Sequence, residues 1–101
     1  MTVAVLIKEQ FGNIQEIDID LDPNKYEVFL TLGGPATFVG QWEDIQVVIM
    51  KSVRHEVYNH NKLPKPFDNE EVYGPMLLVR MDDTAEPKDF TLDEYITFSR
   101  E

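Results

Sequence analysis

The chain has 101 residues, 43% of them hydrophobic, and carries nineteen Asp and Glu against nine Lys and Arg, for a net charge of −10. That length and apolar content suit one packed core rather than two domains or a disordered chain. The acidity opposes direct binding to nucleic acid or anionic membrane, and the lack of cysteine excludes disulfides, thiolate nucleophiles and Cys-ligated metals.

The apolar start, Met1 to Ile7, has neither the basic flank nor the length of a signal peptide, and its β-branched alternation predicts a strand. No apolar run approaches the ~20 residues of a membrane span, and the lack of cysteine favours an intracellular setting. Gly12-Asn13 marks a turn, and from about Glu16 the acids Glu16, Asp18 and Asp20 alternate with Ile17, Ile19 and Leu21. The two segments predict a hairpin.

Asp22-Pro23 is a helix start, with Asp as cap, Pro preorganised at the first helical position, and Leu21 and Tyr26 spaced for a hydrophobic staple. Gly33-Gly34-Pro35 is a stop, so a helix is expected to run to about Leu32. A strand over Tyr26 to Leu32 competes, because Tyr26, Val28, Leu30 and Leu32 also alternate. Agreement between the two end signals favours the helix.

Thr37 to Gly40 and Ile45 to Met50 predict consecutive strands joined around Trp42-Glu43-Asp44, the second covered on both faces because Gln46 is its one polar residue. Ser52 to Tyr73 shows no regular period, and a loop that long is functional, mobile or conceals a short element. Met76 to Met81 predicts another buried strand. Thr91-Leu92-Asp93-Glu94 matches a capping box, flanked by a Phe90–Tyr95 staple, and starts a short helix to about Ser99. The expected fold is α+β: a single domain with a mixed or antiparallel sheet of about four to six strands, packed against one longer helix plus a short C-terminal helix.

No motif specifies catalysis. Asp18-Ile19-Asp20-Leu21-Asp22 has the alternate carboxylates of a calcium loop, but Pro23 and Phe29 stand where that loop needs Gly and a bidentate Glu. His55 and His60 are five apart, one too many for a zinc-protease helix, although both can add positive charge at mildly acidic pH. Neither Ser52 nor Ser99 sits in a nucleophile elbow. No cofactor or metal site is expected, and the run Asp82, Asp83, Glu86 and Asp89 reads first as an exposed acidic loop.

The bases are concentrated. Lys51, Arg54, Lys62 and Lys65 against Glu56 make residues 51–65 net +3, between a first half of −6 and a last third of −7. The resulting expectation is a non-enzymatic protein that binds the basic surface of another protein. Asp18, Asp20, Asp82, Asp83, Glu86 and Asp89 supply the attraction and Trp42 and Tyr73 the anchors. For Trp42, Tyr58, Phe67 and Tyr73 the competing reading is that these rings complete a small core. The second functional reading is a self-associating module in which the +3 island meets an acidic face of another copy. The third is a metal-dependent or enzymatic domain using the acidic loop after Met81.

Leu32-Gly33-Gly34-Pro35-Ala36-Thr37-Phe38-Val39-Gly40-Gln41-Trp42 leading into Val47 to Met50, and Gly74 to Asp82 leading into Asp89-Phe90-Thr91-Leu92-Asp93-Glu94-Tyr95, resemble an uncharacterised family of small proteins associated with large DNA viruses of algae. The order of elements is also similar to a second uncharacterised family of phages and bacteria. The resemblance implies a viral accessory protein and brings no activity, cofactor or catalytic residue with it.

Overall fold

The N-terminal alternation closes into the expected hairpin. β1 (Thr2–Ile7) pairs antiparallel with β2 (Ile14–Ile19), Val3 facing Asp18 and Ile7 facing Ile14. The computed structural model describes residues 1–100.

After β2 the expected helix divides. Asp22 caps as its position predicts, Oδ1 accepting from the Asn24 amide at 3.0 Å, but only a 3-10 turn, Pro23–Lys25, follows. Tyr26 then takes a left-handed conformation (φ 59°), and α1 spans only Glu27–Leu32. Segments this short have little helical stability of their own, so tertiary contacts choose their path. Here the Glu27 carboxylate accepts from the Asp20 amide at 3.1 Å, while Leu32 is buried on the sheet. The stop is as read: Gly33 is left-handed (φ 78°) and its amide reaches Phe29 O.

β3 (Ala36–Trp42) and β4 (Val47–Ser52) pair antiparallel around a 3-10 turn at Glu43–Ile45, with a bulge between Phe38 and Gly40. β5 (Met76–Met81) is the middle strand, and the two-residue β6 (Pro87–Lys88) joins its far end. The order is β2-β1-β5-β4-β3, with β6 on β5, and every pairing is antiparallel. The capping box is complete: Thr91 Oγ1 accepts the Glu94 amide, Glu94 reaches back to the Thr91 amide, and α2 (Leu92–Ser99) follows. The fold is therefore α+β with one antiparallel sheet. The expected proportions of the helices are reversed, α2 being the longer and α1 the shorter.

Alternation on the strands splits the core into two layers. Val5, Ile7, Val47, Ile49, Met76 and Leu78 point to one face, where Phe90, Tyr95, Leu63 and Val72 cover them. Ala4, Leu6, Ile19, Met50, Leu77 and Val79 point to the other, where α1 supplies Leu32 and, at the margin, Val28. Full burial of such side chains contributes about 1.5–3 kcal/mol each, before the entropy of ordering them. One face is closed by a helix and a 23-residue connection; the other has only the six residues of α1 and their flanks.

That connection, residues 53–75, looked irregular but is tied down. Asn59 is buried, its Nδ2 donating to Gly74 O (2.9 Å) and Ile7 O (3.3 Å), and its Oδ1 accepting from the Asn61 amide. Asn61 in turn donates to Lys8 O and Gln10 O, and its Oδ1 caps the Gly12 amide of the first turn.

Burial among Phe90 and Trp42 pushes the Tyr95 hydroxyl up to about 12. A tyrosine held neutral in the fold adds stability that is complete below the ordinary value near 10 and is lost as pH rises through the folded value. Alkaline titration by phenolate absorbance should therefore show a step delayed to about pH 12, or coincident with unfolding, and Tyr95→Phe should abolish it. A titration curve unchanged in Tyr95→Phe would contradict this account.

Candidate functional site: the acidic end of the sheet

Strand register gives the sheet two chemically opposite ends. At one level lie Trp42, Val47 and Arg80, with Val3 and Asp18 on the neighbouring pair. At the other lie Thr37, Lys51, Met76, Ile7 and Ile14. Beyond the first level run the β3–β4 turn with Glu43 and Asp44, the β5–β6 turn with Asp82, Asp83 and Glu86, the segment after β2 with Asp20, and Asp89 before α2. Beyond the second lie Lys8, Arg54, His55, His60 and Lys62, with Glu9 and Glu56 as the acids among them.

The six acids singled out in the sequence thus converge, although they are drawn from positions 18 to 89. Several are fixed by the fold. Asp89 Oδ1 accepts from the Val3 amide at 2.9 Å and Asp20 Oδ1 from the Asp22 amide at 3.0 Å. Asp83 accepts from Gln46 Nε2 at 3.1 Å. Asp82 Oδ1 closes its own turn, accepting from the Thr84 amide and hydroxyl and from the Glu86 amide. The Thr84 hydroxyl, then the Glu86 amide, hold the Asp82 carboxyl below its ordinary range. Ala85 completes this turn in a left-handed conformation (φ 63°).

Arg80 organises the end from beneath. Its guanidinium lies 5.0 Å from the Phe90 ring centroid and donates to Ile45 O, Asp89 O and Glu94 Oε2, the last at 2.6 Å. Burial alone would raise the Glu94 carboxyl, but bonds from Arg80 and the Thr91 amide outweigh it and hold the carboxyl below its ordinary value. Lys88 lies 3.7 Å from Asp82 and 4.0 Å from Glu86. Among the described residues no other ion pair forms, so Asp18, Asp20, Asp83 and Asp89 have no cationic partner there.

The two aromatic anchors do not join this surface. Trp42 is 4% exposed, ringed by Phe67, Tyr95 and Phe98, with Nε1 donating to Lys65 O at 3.0 Å. It is a core residue, because alternation along β3 turns it toward the layer under α2. Tyr73 is 43% exposed but stands at the opposite end, bridged to Tyr58 with their rings 5.5 Å apart. The +3 island also disperses: Lys51, Arg54 and Lys62 remain at the basic end, whereas Lys65 follows the connection across the sheet to Trp42. No group of three or more His, Asp or Glu is placed to hold a metal ion among the described residues.

A second feature is apolar and was not singled out in the sequence. Phe29, Leu30 and Phe38 are exposed, Leu30 by 72% and Phe38 by 67%, beside a groove of about 290 Å³ lined by Leu21, Pro23, Tyr26, Val28 and Met81 among others. Its signal was present: Val28 to Trp42 is the longest uncharged run in a chain that is 28% charged.

Residues 5–98 match the model of a family of unknown function, DUF5880. The chain belongs to that family. The match takes in both layers of the DUF5880 core, from β1 to α2, together with the turns of the acidic end. No curated protein and no solved structure matches this DUF5880 chain.

Proposed function

We propose that this DUF5880 protein is a small, non-enzymatic binding protein that offers the acidic end of its sheet to a basic surface of another protein, one that otherwise holds nucleic acid. The intracellular setting and the viral accessory role implied by the resemblance belong to the same proposal. The observation that carries it is the convergence of Asp18, Asp20, Asp82, Asp83, Glu86 and Asp89 on one end, several with an oxygen already tied to the backbone. Carboxylates fixed in advance lose less conformational freedom on binding, and a field of one sign steers a cationic partner. With Trp42 in the core, contact at this end rests on charge, so affinity should fall steeply as salt rises.

The test is affinity capture from source-cell lysate on the immobilised protein at ~0.15 M salt, where screening acts over ~8 Å, and at several-fold higher salt. Asp18→Lys, Asp83→Lys and Glu86→Lys combined should retain the native circular dichroism and lose the captured partner by at least about tenfold, the equivalent of ~1.4 kcal/mol. Equal capture by the native and triply reversed chains would remove the proposal. A metal-dependent role for the loop after Met81 lacks comparable support, since Asp82 Oδ1 already accepts three bonds there.

A further inference from the structure

The two edges of the sheet are defended differently. β2 carries Glu16 and Asp18, whereas β3, Ala36–Trp42, has no charged residue. Among the described residues, no backbone group of β3 is bonded to anything outside the β3–β4 pairing. Proteins usually guard such an edge with charge, proline or a bulge, because its open amides and carbonyls invite another strand. β3 has only the bulge at Val39, which leaves Ala36–Phe38 and Gly40–Trp42 as short runs on either side. Phe38 is exposed on β3 itself and Phe29, exposed on α1, lines a groove with Ala36 at the start of β3, both within the uncharged run from Val28 to Trp42.

We propose that this edge docks a second copy of the chain, β3 against β3, antiparallel about a two-fold axis near Val39. Charge fits a second copy in the antiparallel orientation. An antiparallel pairing sets residues 36–38 of one copy beside 40–42 of the other, and so brings the acidic end of each subunit alongside the basic end of its partner. Glu43 and Asp44, just past β3, then come opposite Pro35, whose carbonyl accepts the Val53 amide and thereby holds Arg54 nearby; Lys51 lies across from Thr37. A parallel pairing would set acid against acid. The axis stands perpendicular to the joined sheet, so both α1 segments fall on the same side and their Phe29 side chains, with Phe38, flank the junction. The contact is isologous, closing the dimer rather than extending a fibre. The charged contacts of this junction use Glu43 and Asp44 rather than the Asp18, Asp83 and Glu86 reversed in the capture test, so the two proposals fail in different variants.

Sedimentation equilibrium of the full chain, from low micromolar to submillimolar, tests it. The native chain should form dimers, and Phe38→Lys and Phe29→Glu should each weaken association by at least about tenfold. Phe11→Lys, an equally drastic change at a residue 86% exposed in the β1–β2 turn, should leave it intact. The antiparallel register makes a sharper demand: Arg54→Glu should weaken the dimer, and Arg54→Glu with Glu43→Lys should restore it. A native chain monomeric at every concentration, a dimer indifferent to Phe38→Lys, or a failure of the charge swap to restore association would overturn the proposal. A monomer whose captured partner is lost in Phe38→Lys would give the face to a foreign protein instead.

Discussion

Trp42→Ala should cost about 3–5 kcal/mol, the range for removing a large buried aromatic, out of a total of about 5–15 kcal/mol for a domain. The side chain joins three parts of the fold. It closes β3, meets Phe98 and Tyr95 of α2 at ring separations of 5.1 and 6.5 Å, and holds the 53–75 connection through Lys65 O and Phe67. Truncation leaves a void on all three sides and strips the Lys65 carbonyl of its donor. Trp42→Phe keeps an aromatic ring but not the N–H, and should fall between the variant and native chains. Urea unfolding measures the loss, and in the native chain the single tryptophan reports the transition by fluorescence. Near-native stability of Trp42→Ala, accompanied by loss of a binding partner, would return this side chain to a surface role.

Asn59→Leu should cost about 2–4 kcal/mol, because it leaves buried backbone groups unpaired rather than removing a pair cleanly. Gly74 O and Ile7 O lose the donor Nδ2, and the Asn61 amide loses Oδ1. The connection should loosen at the ends of β1 and β5, with faster amide exchange around Asn59 and Val72, whose backbones pair at 2.8 Å. Asn59→Asp adds a sign that a packing defect would not. The oxygen that replaces Nδ2 faces the Gly74 and Ile7 carbonyls, and that repulsion together with burial outweighs the one bond Oδ1 keeps from the Asn61 amide, so the neutral form is favoured and the folded pKa rises above the ordinary value near 4. Stability relative to the native chain at the same pH should be best in acid and decline as pH rises through that raised value. Thermal melts of the variant and native chains across pH 4–8 read this directly, and a pH-independent difference would contradict the donor role given to Asn59.

The acidic end was half legible in sequence. Asp18 and Asp20 were marked by alternation, and Asp82, Asp83, Glu86 and Asp89 by local density, but their proximity depends on β5 lying beside β1. The hydrogen bond from the Val3 amide to Asp89 spans 86 positions. No local pattern encodes such a pairing, which rewards the chain only after the intervening segments are in place. Trp42 shows the converse. A tryptophan beside a turn has the same local setting whether it faces solvent or core, and the sheet alternation and arrival of α2 settled the matter. Asn59 looked like loop punctuation beside His60 and Asn61 because its acceptors lie 15 and 52 positions away.

By itself the sequence determined what depends on neighbours a few positions apart. The first hairpin, the strands around Trp42-Glu43-Asp44, the buried Met76–Met81 strand and the capping box at Thr91 follow from alternation, turn chemistry and side-chain reach along the chain. Tertiary structure alone decided the order β2-β1-β5-β4-β3, the break at Tyr26, the path of residues 53–75 and the separation of charge between the ends. The physical reason is one of balance. Short segments such as Pro23–Leu32 hold too little local free energy to fix their own shape. They take the form that buries Leu32, pairs Glu27 with the Asp20 amide and spans the sheet from β2 to β3.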